Sequence, residues 1–337
     1  MTEVAVVGFA QEPHFPSRDT TTNGVEMLVP LFRQVFADTG LTKSDIGFWC
    51  SGSSDYLAGR AFSFIAAVDA IGAFPPINES HVEMDAAWAL YEAWVKIKTG
   101  EVDTALVYGF GKSSAGQLRR VLAMQLDPYT ATPLWPDSVS VAGLQARAGL
   151  DAGRFTEKDM AEVVARTTGK PVKELLGQPY FADPLRKHDC APVSDGAATI
   201  ILASAERARD LCERPAYIAG IDHRIDSPNL GERDLTEVAT ARISAKRLGV
   251  DGVEAAELHA PFSHQEILLR QAIGLPGEVR INSSGGALAG NPMFAAGLSR
   301  IGEAAKQVMS GEARRVLAHA TSGPALQQNL LCVLEGQ

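Results

Sequence analysis

NESHVEMDAAWALYEAWVKIKTGEVDTALVYGFG, residues 78–111, is the stretch from which the fold is read. From about Glu83 to Lys98 its apolar residues, Ala86, Ala87, Ala89, Leu90, Ala93, Trp94 and Ile97, are mostly small and wrap most of a helix. A helix covered all round is one buried between layers. Thr99-Gly100 stops it, with glycine suited to the left-handed residue that follows a helix. Thr104 to Phe110 is then an apolar, β-branched run, which predicts a strand covered on both faces. The pattern recurs in NPMFAAGLSRIGEAAKQVMSGEARRVLAHA, Asn291 to Ala320. There a small-residue helix from about Met293 to Met309 ends before Gly311-Glu312 and leads into a strand from Val316 to Ala320. Gly100-Glu101 holds the same place in the first copy, so the chain reads as an internal duplication with the two helices side by side at its centre. The N-terminal end of such a helix offers free N–H groups and the positive end of the dipole, and is where a developing anion would be held.

A chain of 337 residues, 46% hydrophobic, can bury a large core. Ala-rich helices alternate with Val/Ile/Leu strands, the pattern of a layered α/β protein. The net charge of −9 excludes a general nucleic-acid binder. Cys50, Cys190, Cys212 and Cys332 are scattered, with no CxxC and no Cys/His ligand spacing. They read as reduced thiols of a cytoplasmic protein, with neither zinc nor disulfides expected. MTEVAVVGFAQE has a short apolar run after an acid and no basic flank, so it reads as a first strand and not a signal peptide. No apolar run is long enough to span a bilayer.

In chain order, the strand Val4 to Ala10 is followed by a loop with Pro13 and Pro16. A helix over Asn23 to Thr39 contains Pro30, which predicts either a kink or a late start. Ile46 to Cys50 is a strand, Ser51-Gly52-Ser53-Ser54 a turn that a ligand could approach, and Phe62 to Ile71 a helix. Lys112 to about Cys190 loosens into Pro/Gly-punctuated segments, with a helix opened by Thr156 and Asp159, and is read as an insertion on the rim of the first half. The expected halves are residues 1–205 and 206–337. The second has a strand at Ala216 to Ile221, helices over Leu235 to Leu248 and Gln265 to Ile273, and a last strand at Leu330 to Leu334.

Four segments carry a resemblance to a known family. They are VAVVGFAQEPHF at the start, PLRKHDCAPVSDGAATIILAS, ELHAPFSHQEILLRQAIGL and INSSGGALAGNP. Together they resemble the thiolases, most closely the sterol-carrier-protein or lipid-transfer-protein type, over most of the chain. The resemblance implies a duplicated five-layer αβαβα fold. It also implies a nucleophilic cysteine at the start of the first buried helix, since a thiolate must attack the acyl carbon and later leave. Aligning on Ala89-Leu90 and Gly100 puts that place at Glu83, beside Met84, and no cysteine lies in the segment. Gly290-Asn291-Pro292 stands where the family has a histidine base, and Asn291 cannot accept and return a proton. His319 fits the family's histidine variant at the C-terminal strand. His259, in ELHAPF, matches the residue that holds the thioester oxygen, and Gly285-Gly286 would let the backbone approach a thioester.

The expected chemistry is therefore degenerate: enolate stabilisation kept, acyl transfer lost. The leading expectation is retro-aldol cleavage of a β-hydroxyacyl-CoA in lipid or steroid side-chain breakdown. CoA enters as part of the substrate, with no tightly bound cofactor, and an OB-fold, zinc-ribbon protein is the implied partner. Glu83, His319 or a tyrosine would be the base, and His259 the oxyanion donor. The alternatives are a non-catalytic subunit of a heteromer and an acyltransferase with rearranged residues. A homodimer, or a heteromer with a thiolase-like chain, is expected through Pro76 to Val82, the strand that pairs across subunits in the family. Lys112, Arg119 and Arg120 form a basic group read as solvated surface, with CoA phosphates as the functional alternative. Trp88 and Trp94 read as core, and Tyr108 and Tyr129 as packing residues that could also donate protons.

Overall fold

The computed structural model describes residues 2–12, 22–58 and 62–336; the loop expected at Pro13 and Pro16 lies outside them. Its first five long strands are β1 (Val4–Gln11), β2 (Phe48–Gly52), β3 (Glu79–Val82), β4 (Thr104–Lys112) and β5 (Val193–Ser204). The next are β6 (Ala216–Ile225), β7 (Ala255–Leu258), β8 (Arg280–Ile281), β9 (Arg315–Ser322) and β10 (Gln328–Glu335). They lie in the order β3-β2-β4-β5-β1 and β8-β7-β9-β10-β6, the same order twice. In both halves the third, second and fourth strands run parallel and the remaining pairings are antiparallel. The halves join where Ala5 and Val6 of β1 pair with Tyr217 and Ala216 of β6. The duplication read from two helices is thus a duplication of whole sheets.

The helices that fix the layers are α1 (Gly24–Thr39), α2 (Ser63–Ile71), α3 (Ala86–Lys98), α4 (Ser138–Asp151), α5 (Glu157–Thr168), α6 (Ala205–Leu211), α7 (Ala239–Leu248), α8 (Ser263–Ile273) and α9 (Ala296–Met309). Leu28, Phe32 and Val35 of α1 pack on Trp49, Leu106 and Tyr108, making one outer layer. Between the sheets, Ala86, Leu90 and Ala93 of α3 share a core with Leu298, Ile301 and Ala305 of α9. Ala241 of α7 and Leu268 of α8 pack on Leu258, Leu317 and Leu331 to make the other outer layer. The result is the expected α–β–α–β–α stack, with both duplicated helices at its centre. Small residues allow the central pair to approach closely. α9 also fits closely on β1, where a Cβ on Gly302 would fall 2.0 Å from the Phe9 ring.

Three expectations are corrected. The central helices begin at Ala86 and Ala296, about three residues later than read, because β3 and a short turn occupy residues 79–85 in the first copy. α1 runs through Pro30 from Gly24, with Asn23 and Glu26 forming a capping box, so there is no late start. The middle segment does not sit on the first half alone, where Ser114 bonds Asp195. Val139, Ala142, Phe155, Met160 and Leu185 share a core with α7 and α8 of the second half. Among the described residues no helix is long and apolar enough to cross a membrane.

Candidate functional site

The two central helices meet at their N-terminal ends, and one side chain lies between them. Asp85, 4% exposed, caps α3 by accepting from the Ala87 N–H at 2.9 Å. The same carboxylate accepts from the N–H groups of Gly297 at 2.8 Å and Leu298 at 3.1 Å, in the first turn of α9. Gly297 is required here, since a Cβ would lie 2.5 Å from Asp85 Oδ1 and 2.6 Å from the Ala320 Cβ. Burial raises the Asp85 carboxyl above its usual range, against the pull of those N–H groups and the Arg300 charge. The place that dipole reasoning reserved for a developing anion therefore holds the chain's own carboxylate.

Two of the expected residues are brought together. His259, 6% exposed, has its Nε2 2.8 Å from Asn291 Oδ1, while its Nδ1 accepts from the Thr321 N–H at 3.3 Å. With Nδ1 an acceptor, Nε2 carries the proton and donates to Asn291. Burial lowers the His259 pKa to about 4, with the Asn291 bond opposing and Arg300 adding to the fall. The ring is therefore a neutral donor at neutral pH. Asn291 is held in turn by its N–H, which donates to Ser194 Oγ at 3.1 Å, and by Asn291-Pro292 pairing with Val193-Ser194 of β5.

The other expected residues stand elsewhere. Glu83 is not at a helix end: its side chain is 58% exposed and lies 3.5 Å from His81 Nε2. His319 is sealed, with Nε2 2.9 Å from Asn329 Oδ1, and Asn329 donates to Thr240 of α7 at 2.6 Å. Ala318 and Ala320 on either side of it face the central core, so the His319 ring points to the outer layer. Burial lowers its pKa to about 3, which makes it a weak base. Gly285 and Gly286 have φ of +92° and +62°, and a Cβ on Gly286 would meet Asn282 Nδ2 at 2.7 Å. Their own loop accounts for both glycines. Lys112 is not solvated surface but buried, 3.4 Å from Asp195. Arg119 is paired with Asp137 at 2.6 Å. Trp88 and Tyr108 are core, and Tyr129 is exposed.

A buried polar group under the loop of Gly285 went unread in the sequence. Glu257 and Arg300, both nearly inaccessible, are 3.1 Å apart, and each bonds Ser284 Oγ, at 2.6 Å in both cases. Gln307 donates to Glu257 at 3.1 Å. Beside it, Glu266 accepts from Arg166 of α5 at 2.5 Å and from Asn282 at 3.0 Å. These contacts fix the loop that follows β8. The visible signal was only a pair of acids in apolar surroundings, since their partners are remote in sequence. Cys50 is buried with its thiol pushed up, and burial lifts the Cys190 thiol to about 12. Neither is a usable nucleophile.

No family model matches the chain. It is 29% identical to the acetyl-CoA acetyltransferase of Methanothermobacter thermautotrophicus over 45% of this chain and 46% of that protein. It is 24% identical to the 17-hydroxy-3-oxo-4-pregnene-20-carboxyl-CoA lyase of Mycobacterium tuberculosis (64% and 61%), and 25% identical to sterol carrier protein 2 of Rattus norvegicus (76% and 56%). The matched stretches thus span about half to three-fifths of these relatives. In structure it superposes on a chain of an Ltp2–ChsH2(DUF35) aldolase with TM-score 0.81 at 18% identity, over 99% of this chain and 98% of that one. Human mitochondrial 3-ketoacyl-CoA thiolase gives 0.79 at 13% identity, over 100% and 99%. The duplicated five-layer fold is the thiolase fold. In sequence the chain is similar to thiolases and to sterol carrier protein 2, the relatives of the sterol-carrier or lipid-transfer type. No cysteine stands at the start of either central helix.

Proposed function

We propose that this chain takes part in retro-aldol cleavage of a β-hydroxyacyl-CoA, with a partner protein and without a covalent acyl intermediate. The observation that carries the reading is the His259–Asn291 pair: a neutral imidazole whose Nε2–H is aimed by a fixed Nδ1 acceptor. A base removes the β-hydroxyl proton, the carbonyl forms as the Cα–Cβ bond breaks, and the electron pair passes to the thioester enolate. His259 Nε2–H leaves Asn291 and donates to the enolate oxygen. Protonation at Cα releases a shortened acyl-CoA and an aldehyde or ketone. With Glu83 outside and His319 sealed, we assign the base to the partner, for which an OB-fold, zinc-ribbon protein is the expectation. CoA serves only as part of the substrate. The lyase among the relatives and the aldolase among the structures support the reaction class.

The test is to mix the chain with such a partner and a β-hydroxyacyl-CoA and follow release of the carbonyl product. Cleavage is expected, with a loss of at least ~10²-fold in His259→Ala, as for removal of one oxyanion donor. Cys50→Ala and Cys190→Ala should cleave like the parent, and mass spectrometry should find no acyl-cysteine. An acylated cysteine would return the chain to the acyltransferases.

One observation favours a second reading, a non-catalytic subunit of a thiolase-like heteromer: Asp85 fills the meeting point of the helix ends. That reading takes over if no partner elicits cleavage while acyl-CoA or a thiolase-like chain still binds.

A further inference from the structure

A cavity of about 490 Å³ opens between the link from α6 to β6 and the C-terminal end of α9. Three arginines line it: Arg209 of α6, Arg214 of the link and Arg314 just before β9. All three are exposed, and among the described residues no ion pair, hydrogen bond or ring contact engages their side chains. Their neighbour Arg315 is held, by contrast, by Glu335 and by the Gly249 carbonyl. In a chain of net charge −9, these three guanidiniums are left for something outside the protein to balance. The end of α9 does not need them. Its carbonyls of Lys306, Gln307 and Val308 already accept from the N–H groups of Ser310, Ala313 and Gly311, at 2.9, 3.2 and 3.0 Å. Arg214 nevertheless lies over that end: a Cβ on Gly311, at φ +77°, would fall 2.5 Å from Arg214 Nη1.

Charge and lining together define what fits. Glu213 also lines the cavity, so the three guanidiniums keep two positive charges in excess. The negative end of the α9 dipole, about half a charge, reduces that excess without cancelling it. A phosphate monoester carries close to two negative charges at neutral pH and offers three acceptor oxygens, which suit guanidinium forks. Tyr217 and Val308, both nearly inaccessible, give the cavity an apolar side, and its volume suits a small molecule rather than a bare ion. We propose that this cavity binds a small organic phosphate monoester, with the phosphate on Arg209, Arg214 and Arg314 and the apolar body against Tyr217 and Val308. Asp85 is bound to Gly297 at the other end of α9, about 20 Å away at 1.5 Å per residue, so the cavity is a helix length from the meeting point of the helix ends. The inference is independent of the retro-aldol reading, because it is tested without acyl-CoA.

The probe is phenyl phosphate, titrated by calorimetry at fixed ionic strength beside inorganic phosphate and benzenesulfonate. Phenyl phosphate should bind at least about tenfold more tightly than either, because inorganic phosphate lacks the apolar body and the sulfonate lacks the second charge. Arg214→Gln combined with Arg314→Gln should weaken it at least about tenfold, as for the loss of hydrogen bonds between charged groups. Cys212 lines the same cavity and is only half-buried. Saturating phenyl phosphate should therefore suppress its alkylation by iodoacetamide and leave that of Cys190 unchanged, as read by peptide mass spectrometry. This readout uses the parent chain, so the test stays decisive if the arginine variant fails to fold. The proposal is overturned if phenyl phosphate does not bind at up to millimolar concentration, or if inorganic phosphate or benzenesulfonate binds as tightly. Parent affinity in the double variant would overturn it too, as would alkylation of Cys212 at the same rate with and without the ligand.

Discussion

Asp85 joins two helix ends through three main-chain N–H groups, and one of its partners, Gly297, is 212 residues away. Replacing it with alanine strips a buried acceptor from all three donors. At ~1 kcal/mol for each lost capping bond, Asp85→Ala should cost about 3 kcal/mol in urea unfolding. A change below ~0.5 kcal/mol would mean that water or a neighbour takes over. Glu83→Gln, by contrast, should leave stability within ~0.5 kcal/mol, as for an exposed ion pair. At this scale the sequence was half legible. His259 and Asn291 stand in motifs and do meet. Spacing from Gly100 points to Glu83, because it aligns residues but does not show where the chain leaves β3 and turns into the helix, which Asp85 caps.

The central helices are specified by what they lack. Gly297 and Gly302 of α9 leave room for Asp85 and for the Phe9 ring, and Gly109 and Gly111 of β4 leave room for the carbonyls of Phe294 and Met293. Gly297→Ala would place a methyl group against Asp85 and Ala320. It should destabilise the fold by roughly 1–3 kcal/mol, as overpacking does, despite alanine's better helix propensity. Equal or higher stability would show that the two helix ends are not closely packed. These elements were readable because small residues in an all-round apolar helix have few other uses in a layered fold. The docking of α4 and α5 was not readable. It is set by contacts such as Arg166 with Glu266 and Gln145 with His264, in which neither residue marks the other in the sequence.

Across the whole molecule the repeated strand order encloses three histidines, His259, His264 and His319, each lowered by burial, to about 4, 3 and 3 from 6.5. Their folded pKa values lie below the unfolded one, so the unfolded chain binds more protons as the pH falls. Their contribution is fully present above about pH 6.5 and is lost as the pH falls towards 4 for His259 and 3 for the others. Between pH 7.5 and 5 each should remove about 2 kcal/mol of stability. Asp85 and Glu79 work in the opposite direction. Burial raises both, so their ionisation opposes folding as the pH rises through their folded values, and acid relieves it. The histidine loss begins near pH 6.5, so the three rings should lower stability over pH 7.5 to 5, against the opposing effect of the two carboxyls. Urea midpoints measured across that range should fall, and His264→Gln, which removes one buried imidazole, should flatten the slope by about a third. His264 is the residue to choose because its Nε2 meets only Gln145 Oε1, at 3.2 Å, and it lies outside the His259–Asn291 pair. A midpoint unchanged from pH 7.5 to 5 would mean that these rings take up protons in the folded protein, and the second half would have to open to water around them.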